Sequence, residues 1–180
     1  MSMVSSRHRR RASQVVALPC ISLAALLAGC AAGRVVGGGY ENPITGFRIP
    51  LPPAPWVRVS IPDVEVAFRH PSAAGTIAAF SSCEGPRRAP LRILARHLFF
   101  GLKERAVLEQ GPVSLDGAEA LRTVMRGDQE GSPVIVESVV VRRGACVYDL
   151  VLAATSNAYA ALRPDFERMA AGWRPLPPDH

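Results

Sequence analysis

The sequence predicts an α+β domain, in which an antiparallel β-sheet is packed by an amphipathic helix and a C-terminal helix. Two kinds of hydrophobic spacing support this class. Apolar and polar residues alternate in residues 64–69, a period of two that is typical of a half-buried strand, and residues 145–154 form an apolar run whose two sides can both be buried in a strand. Apolar residues recur at intervals of three and four in residues 91–102 and 157–172, which is the helical period. Because the strands come in runs joined by turns, we expect them to pair antiparallel.

Residues 1–29 have the pattern of a signal peptide that is cleaved from the mature protein. Several arginines, Arg10 among them, precede an apolar run over residues 15–28, which is short for a membrane-spanning helix. The run ends in four residues that match the lipobox of bacterial lipoproteins at every position. These are Leu27, Ala28, Gly29 and Cys30. The match predicts cleavage before Cys30 and lipidation of its thiol.

Several acyl chains on Cys30 would anchor the protein stably, because each buried methylene contributes about 0.8 kcal/mol. Ala31 follows, where an aspartate would favour inner-membrane retention in lipoproteins of Gram-negative bacteria. We therefore expect an outer-membrane anchor and a domain that faces the periplasm. Two alternatives stay open. One is an ordinary signal-peptide cut at Ala31 or Ala32, and the other is a twin-arginine signal at Arg10 and Arg11, although the residues that follow do not resemble its usual continuation.

The mature chain is predicted to contain a tether, one domain and a loose tail. Residues 30–45 are rich in glycine and have little periodicity, which favours a flexible tether after the lipidated cysteine. Residues 46–174 form the single α+β domain, and residues 175–180 form the tail. The glycines at 37–39 lack the lysine and serine or threonine of a phosphate-binding loop, so we expect no such site.

Within the domain, the elements follow from local patterns. Short strands interrupted by prolines open it, and Pro90 is expected to begin the first helix. Asp116 and Gly117 form a strong hairpin signal. Residues 134–142 are rich in valine and isoleucine on both faces, which predicts a central strand. Gly172 is expected to end the C-terminal helix.

The four cysteines do not form one set. Cys20 lies in the leader and Cys30 at the lipobox, so Cys83 and Cys146 are the pair in the domain. In an oxidising compartment, two thiols predict one disulfide. The alternative is two buried free thiols that pack as small hydrophobic groups. The alternation places Cys146 on the same side of its strand as Tyr148 and other large apolar residues.

The arrangement of elements also resembles a known fold. The features that carry the resemblance are residues 46–50 with Trp56 shortly after, the helix over 91–102, the hairpin at 115–117, and the segment 166–173 at the end. Together they resemble the Mog1/PsbP-like fold, including DcrB-type envelope lipoproteins, over about residues 44–174. The resemblance implies a binding or assembly module without a catalytic centre.

Charge and residue spacing give little sign of nucleic-acid, metal or cofactor binding. The formal net charge of +6 falls to about +2 once the leader arginines are removed, so no nucleic-acid partner is expected. His70, His97 and His180 lack metal-ligand spacing, and no cofactor is predicted. His97 is interpreted as a packing histidine on the first helix.

No nucleophile motif is present, so no catalytic residues are assigned. Asp149 is the most interesting carboxylate because apolar residues flank it on its strand, and either an arginine partner such as Arg122 or Arg142 or a position on an exposed face would account for it.

The sequence therefore predicts a membrane-anchored envelope lipoprotein with a non-catalytic binding or scaffolding domain for an unidentified envelope partner or ligand. A carrier of lipids or small molecules is the first alternative, and would show a deep pocket lined by Phe99, Phe100, Tyr148 and Trp173. An envelope hydrolase is the second, and would show a nucleophile beside His97 or Asp149 in a cleft.

Overall fold

The computed structural model describes residues 33–84 and 89–177. The predicted signal peptide, the lipobox and Cys30 lie outside this described part, as do residues 178–180 of the predicted tail. The strands are β1 (Arg34–Val36), β2 (Gly39–Asn42), β3 (Phe47–Pro50), β4 (Val57–Val59), β5 (Val66–Arg69), β6 (Gly75–Ser82), β7 (Lys103–Leu115), β8 (Ala118–Gln129), β9 (Ser132–Arg143), β10 (Cys146–Thr155) and β11 (Arg174–Pro175). The helices are α1 (Leu91–Leu94), which continues as a 3₁₀ helix (Ala95–Phe99), and α2 (Tyr159–Ala171).

The strands form two antiparallel sheets, which confirms the predicted α+β class. The larger sheet has the order β4-β5-β6-β10-β9-β8-β7, and the smaller sheet has the order β1-β2-β3-β11. The β7–β8 hairpin turns at Asp116 and Gly117, whose φ angles of 47° and 76° are both positive, as expected for a two-residue hairpin turn. Of the central strands, β9 is exposed only at its ends, and β10 has no exposed residue.

The larger sheet is covered on both faces. Its front face packs against α2 and the smaller sheet, and the buried residues there include Phe47, Leu150 and Phe166. Its back face packs against α1 and the 3₁₀ helix, through Leu91, Ala95 and Phe99. Neither helix in the described residues is long and apolar enough to cross a membrane.

The first helix is shorter than predicted. Only Leu91–Leu94 is α-helical, and the next turn is 3₁₀. No side chain caps the α-helix at Pro90 and its first turn holds no acidic residue, so the local sequence does little to stabilise a longer helix. The hydrophobic spacing nevertheless identifies the buried face correctly, because packing on the sheet decides that face.

The predicted tether is wrong over residues 34–42, which form β1 and β2. Gly37 and Gly38 have φ angles of 51° and 73° and make the turn between these strands, so here the glycines form a hairpin and not a spacer. The tail prediction is also wrong at its start. Pro175 pairs with Phe47 in β11, and the Leu176 amide donates to the Gly46 carbonyl over 2.8 Å.

Glu65 joins the two sheets. Its carboxylate accepts a 2.7 Å hydrogen bond from Asn42 Nδ2 in the smaller sheet and another of 2.7 Å from the Ser81 amide in the larger sheet. The Ser81 hydroxyl and, at 3.5 Å, the Tyr40 hydroxyl donate to the same carboxylate. Burial, together with the nearby Glu65, raises the pKa of Tyr40 to about 12, so the phenol stays a donor at neutral pH.

Cys83 and Cys146 form a disulfide, in agreement with the preferred pairing. The bond joins the end of β6 to the start of β10, next to the register pair Ser82 and Val147. Cys146 packs against the front core, on the side that the alternation predicts. The disulfide therefore links two central strands that are far apart in sequence.

We expect the Cys83→Ser/Cys146→Ser variant to lose roughly 2–4 kcal/mol of unfolding free energy, because the bridge restricts a long loop in the unfolded chain. Chemical denaturation of both proteins, with and without reductant, measures this. Wild type in reductant should match the variant. Alkylation of Cys83 in the folded, unreduced protein would contradict the bridge.

Candidate functional site

A cleft of about 460 Å³ opens on the back face of the larger sheet. We call it the His97 cleft. The 3₁₀ helix contributes His97 and Leu98, the loop before β5 contributes Asp63, and β6 and β10 supply the other lining residues. Those are Phe80, Ser81, Ser82, Asp149 and Val151. The lining thus combines apolar side chains with several polar and charged ones, and such a combination can bind a ligand.

Asp149 lies in the cleft and is only 8% exposed. Its Oδ2 atom is 3.1 Å from His97 Nε2, while its buried Oδ1 atom has no hydrogen-bond partner. The expected arginine partner is therefore wrong, and His97 takes that place. Arg122 instead pairs with Glu109 and Glu137, and Arg142 reaches Glu119. Strand alternation explains this for Arg122, which lies on the front face while Asp149 lies on the back face; Arg142 has the same parity as Asp149 but reaches Glu119 on the neighbouring strand.

Both ring nitrogens of His97 face acceptors. Nδ1 contacts the Leu94 carbonyl and Nε2 contacts Asp149. Only the protonated imidazole can donate at both positions. The hydrogen bond to Asp149 accordingly raises the pKa of His97, against an opposing effect of burial. In this geometry neither nitrogen is free to accept a proton from a nucleophile.

The serines of the cleft are also engaged. The Ser82 hydroxyl donates to the Glu84 carbonyl at 3.3 Å and accepts from the Glu84 amide at 3.2 Å. The Ser81 hydroxyl donates to Glu65. The cleft thus places a serine, a histidine and an aspartate near each other, but the hydrogen bonds do not connect them as a nucleophile and its base.

The pocket expected for a carrier does not form from the four predicted aromatic residues. Tyr148 and Trp173 pack together in the front core as tilted rings, with centroids 5.1 Å apart. Phe99 is buried on the back face, and Phe100 is 80% exposed. The sequence pattern gave each residue's apolar character but not which face of the sheet it covers.

A buried polar cluster on the front face was not predicted. Glu137 is 1% exposed, accepts a 2.6 Å hydrogen bond from the Tyr159 hydroxyl and pairs with Arg122 Nε at 2.5 Å. Arg163 Nε lies 3.7 Å from the same carboxylate. The sequence did contain one sign of this cluster, because Glu137 interrupts a strand that is otherwise rich in valine. These contacts tie α2 to the centre of the sheet, so we interpret the cluster as structural.

The outer edge of β7 is the second notable surface. β7 is the last strand of the larger sheet, and most of its 13 residues are exposed. Val107 is 56% exposed and Leu108 is 47% exposed. Register shifts between Lys103 and Ala106, and between Val107 and Glu109, interrupt its pairing with β8. Such bulges discourage uncontrolled addition of a strand along the whole edge.

Among residues 33–84 and 89–177, no group of three histidine, cysteine, aspartate or glutamate side chains is placed to hold a metal ion.

Comparison with known proteins identifies the fold but no family. No protein-family model matches the chain, and no curated protein matches it. The solution structure of the cyanobacterial PsbP protein from Synechocystis aligns with a TM-score of 0.53 and 15% identity, over 83% of this chain and 95% of that one. The crystal structure of LpqN, which is involved in cell envelope biogenesis of Mycobacterium tuberculosis, aligns with a TM-score of 0.58 and 15% identity, over 73% of this chain and 83% of that one. The chain therefore has the PsbP-like α+β fold, as its element order predicted.

The His97–Asp149 pair predicts a specific pH dependence of stability. Folding raises the pKa of His97 above its ordinary value of 6.5, so the pair stabilises the protein fully below that pH and the contribution disappears as pH rises through the folded-state pKa. Because the imidazole is half exposed, the effect should be under about 1 kcal/mol. Unfolding free energies of wild type and His97→Gln between pH 5 and 9 measure it.

The difference in unfolding free energy between wild type and His97→Gln should shrink as the pH rises. Asp149→Asn should remove the same pH-dependent part of the unfolding free energy. The double variant, His97→Gln/Asp149→Asn, should lose no more of that pH-dependent part than either single variant. A difference that is constant across the pH range would show that the pair is not ionic.

Proposed function

We propose that this chain is a membrane-anchored envelope lipoprotein whose α+β domain is a non-catalytic binding or scaffolding module. In this proposal Cys30 carries the lipid in the outer membrane of a Gram-negative bacterium, and the domain faces the periplasm. The lipobox Leu27, Ala28, Gly29 and Cys30 supports the anchor. The partner is an envelope protein that the domain binds directly.

The observation that carries the binding role is the outer edge of β7. This strand is long and exposed, and it carries two large apolar side chains, Val107 and Leu108, at the border of the sheet. An exposed edge strand offers backbone donors and acceptors to a segment of another protein, while neighbouring side chains provide selectivity. Glu109 in the same strand pairs with Arg122, so polar groups surround the apolar residues as in the rim of a protein interface.

The hydrolase alternative has weaker support. Its best candidate is the His97 cleft, where the ring nitrogens of His97 and the hydroxyl of Ser82 already have partners within the domain. Hydrolysis by these groups would first require them to exchange partners. A binding role requires no such change.

Two observations support an envelope location. The Cys83–Cys146 disulfide is typical of proteins that fold outside the reducing cytoplasm. The structural similarity to LpqN, a protein of cell envelope biogenesis, is consistent with that location, although at 15% identity it concerns the fold alone.

The anchor can be tested by metabolic labelling with a palmitate analogue. The wild-type chain should be labelled and should fractionate with outer membranes, while Cys30→Ala should lose the label because no thiol remains for the thioether. Cys20→Ala is the matched control, since it also removes a cysteine from the N-terminal segment. Labelling of Cys30→Ala at the wild-type level would refute the anchor.

The binding role can be tested by photo-crosslinking in intact envelopes. A photoreactive amino acid at Leu108 should give one discrete adduct with an envelope protein. Val57 is the matched control, because it is 55% exposed on β4, the opposite edge strand of the same sheet. No adduct from Leu108, or the same adducts from both positions, would contradict a partner at β7.

A further inference from the structure

A second concave site lies on the back face, at the end of the 3₁₀ helix next to β7. It has a volume of about 450 Å³, within the range of about 300–1,000 Å³ that is typical of small-ligand sites. We call it the Phe100 hollow. It shares no lining residue with the His97 cleft. Six residues line it: Arg96, Phe99, Phe100, Arg105, Val107 and Met125.

The wall of the hollow is apolar. Phe99 is buried at its base, and Val107 and Met125 are register partners on neighbouring strands. Phe100 stands 80% exposed beside them, and it is the most exposed of the large apolar residues in the described part. The Phe100 amide donates to the His97 carbonyl at 3.2 Å, and Gly101 follows with a φ of 86°. The backbone therefore holds this aromatic side chain at the surface, where an apolar ligand could cover it.

The charges of the hollow have one sign. Arg96 comes from the 3₁₀ helix and Arg105 from β7, and no acidic side chain is among the lining residues. Within residues 33–84 and 89–177, neither guanidinium forms an ion pair with a carboxylate. Arg163, by contrast, pairs with Glu167 at 2.7 Å. The His97 cleft also differs, because its lining includes Asp63 and Asp149.

We propose that the Phe100 hollow binds a single-chain anionic amphiphile, with a carboxylate or phosphate head group and a hydrocarbon tail. Arg96 and Arg105 bind the head group from two sides, since guanidinium groups form strong charge-assisted hydrogen bonds with both kinds of anion. The tail covers Phe100 and packs against Phe99, Val107 and Met125. Because the hollow is concave, it is better suited to bind one amphiphile molecule than to lie against a flat bilayer surface. This inference depends neither on the anchor at Cys30 nor on the partner at β7.

The probes are four photoreactive molecules with the same twelve-carbon chain and different head groups. They are photoreactive derivatives of dodecanoate and dodecyl phosphate, which are anionic, of dodecanol, which is uncharged, and of dodecylamine, which is cationic. Each is added to the purified full-length protein below the concentration at which it forms micelles or separates from solution, and mass spectrometry maps the labelled residues. We expect saturable labelling around the Phe100 hollow by one or both anionic probes. Comparison of those two identifies whether the head group is a carboxylate or a phosphate.

Matched variants test the two parts of the site. Arg96→Gln/Arg105→Gln should weaken binding of the anionic probe about tenfold. Arg92→Gln/Arg143→Gln makes the same change in net charge at exposed arginines outside the hollow, and should change affinity less than about twofold. Phe100→Ser should also weaken binding, whereas Ile44→Ser, which alters an exposed apolar residue in the turn between β2 and β3, should not.

Thermal unfolding of each variant confirms that it is folded, and high salt gives a test on the wild-type protein alone. Salt should weaken labelling by dodecanoate or dodecyl phosphate more than labelling by dodecanol, because it screens the arginines. Equal labelling by all four probes, binding that is insensitive to the arginine variant, or attachment to anionic vesicles without binding of the single molecules would each overturn the proposal.

Discussion

The structure depends on the burial of both faces of its central strands. β10 carries Tyr148, Leu150 and Leu152 towards the front and Val147, Asp149 and Val151 towards the back. A sheet with two apolar faces needs a cover on each, because exposed apolar surface is costly in water. Helix α2 and the smaller sheet form one cover, and α1 with the 3₁₀ helix forms the other. The back cover, formed by α1 and the 3₁₀ helix, is the smaller of the two. It leaves room for the His97 cleft and the Phe100 hollow.

The same constraint explains where the polar groups lie. Glu65 and Glu137 are both on the front side, where each is enclosed by donors from two elements. Glu137 is buried and Glu65 is partly buried, and a carboxylate away from water is tolerated only with such partners, which here connect separate layers of the fold. Asp149 lies on the thinner back side and has one partner, the half-exposed His97. Its unpaired Oδ1 atom distinguishes it from the two glutamates.

The local sequence predicted where most strands and helices lie. It was less successful in predicting how long they are and which residues their side chains contact. The alternation in β10 gave its two faces, and the Asp116–Gly117 pair gave the turn between β7 and β8. The short strands β1 and β2 were missed because glycines at 37–39 resemble a linker, and because Tyr40 is buried only through contacts with distant residues. The partner of Asp149 was missed because strand parity excludes Arg122, and that parity appears only once the register of β8 and β9 is known.

The sequence by itself determined the α+β class, the likeness to PsbP-like proteins, and the identity of the cysteine pair, since these follow from periodicity, element order and the number of thiols. It also supplied the lipobox on which the proposed anchor rests. Only the tertiary structure decided which side chains meet. It separated the four aromatic residues of the expected carrier pocket, brought His97 to Asp149, and placed Arg96 and Arg105 beside the exposed Phe100. The physical reason is that such contacts depend on strand register and layer packing, and many residues fix these together.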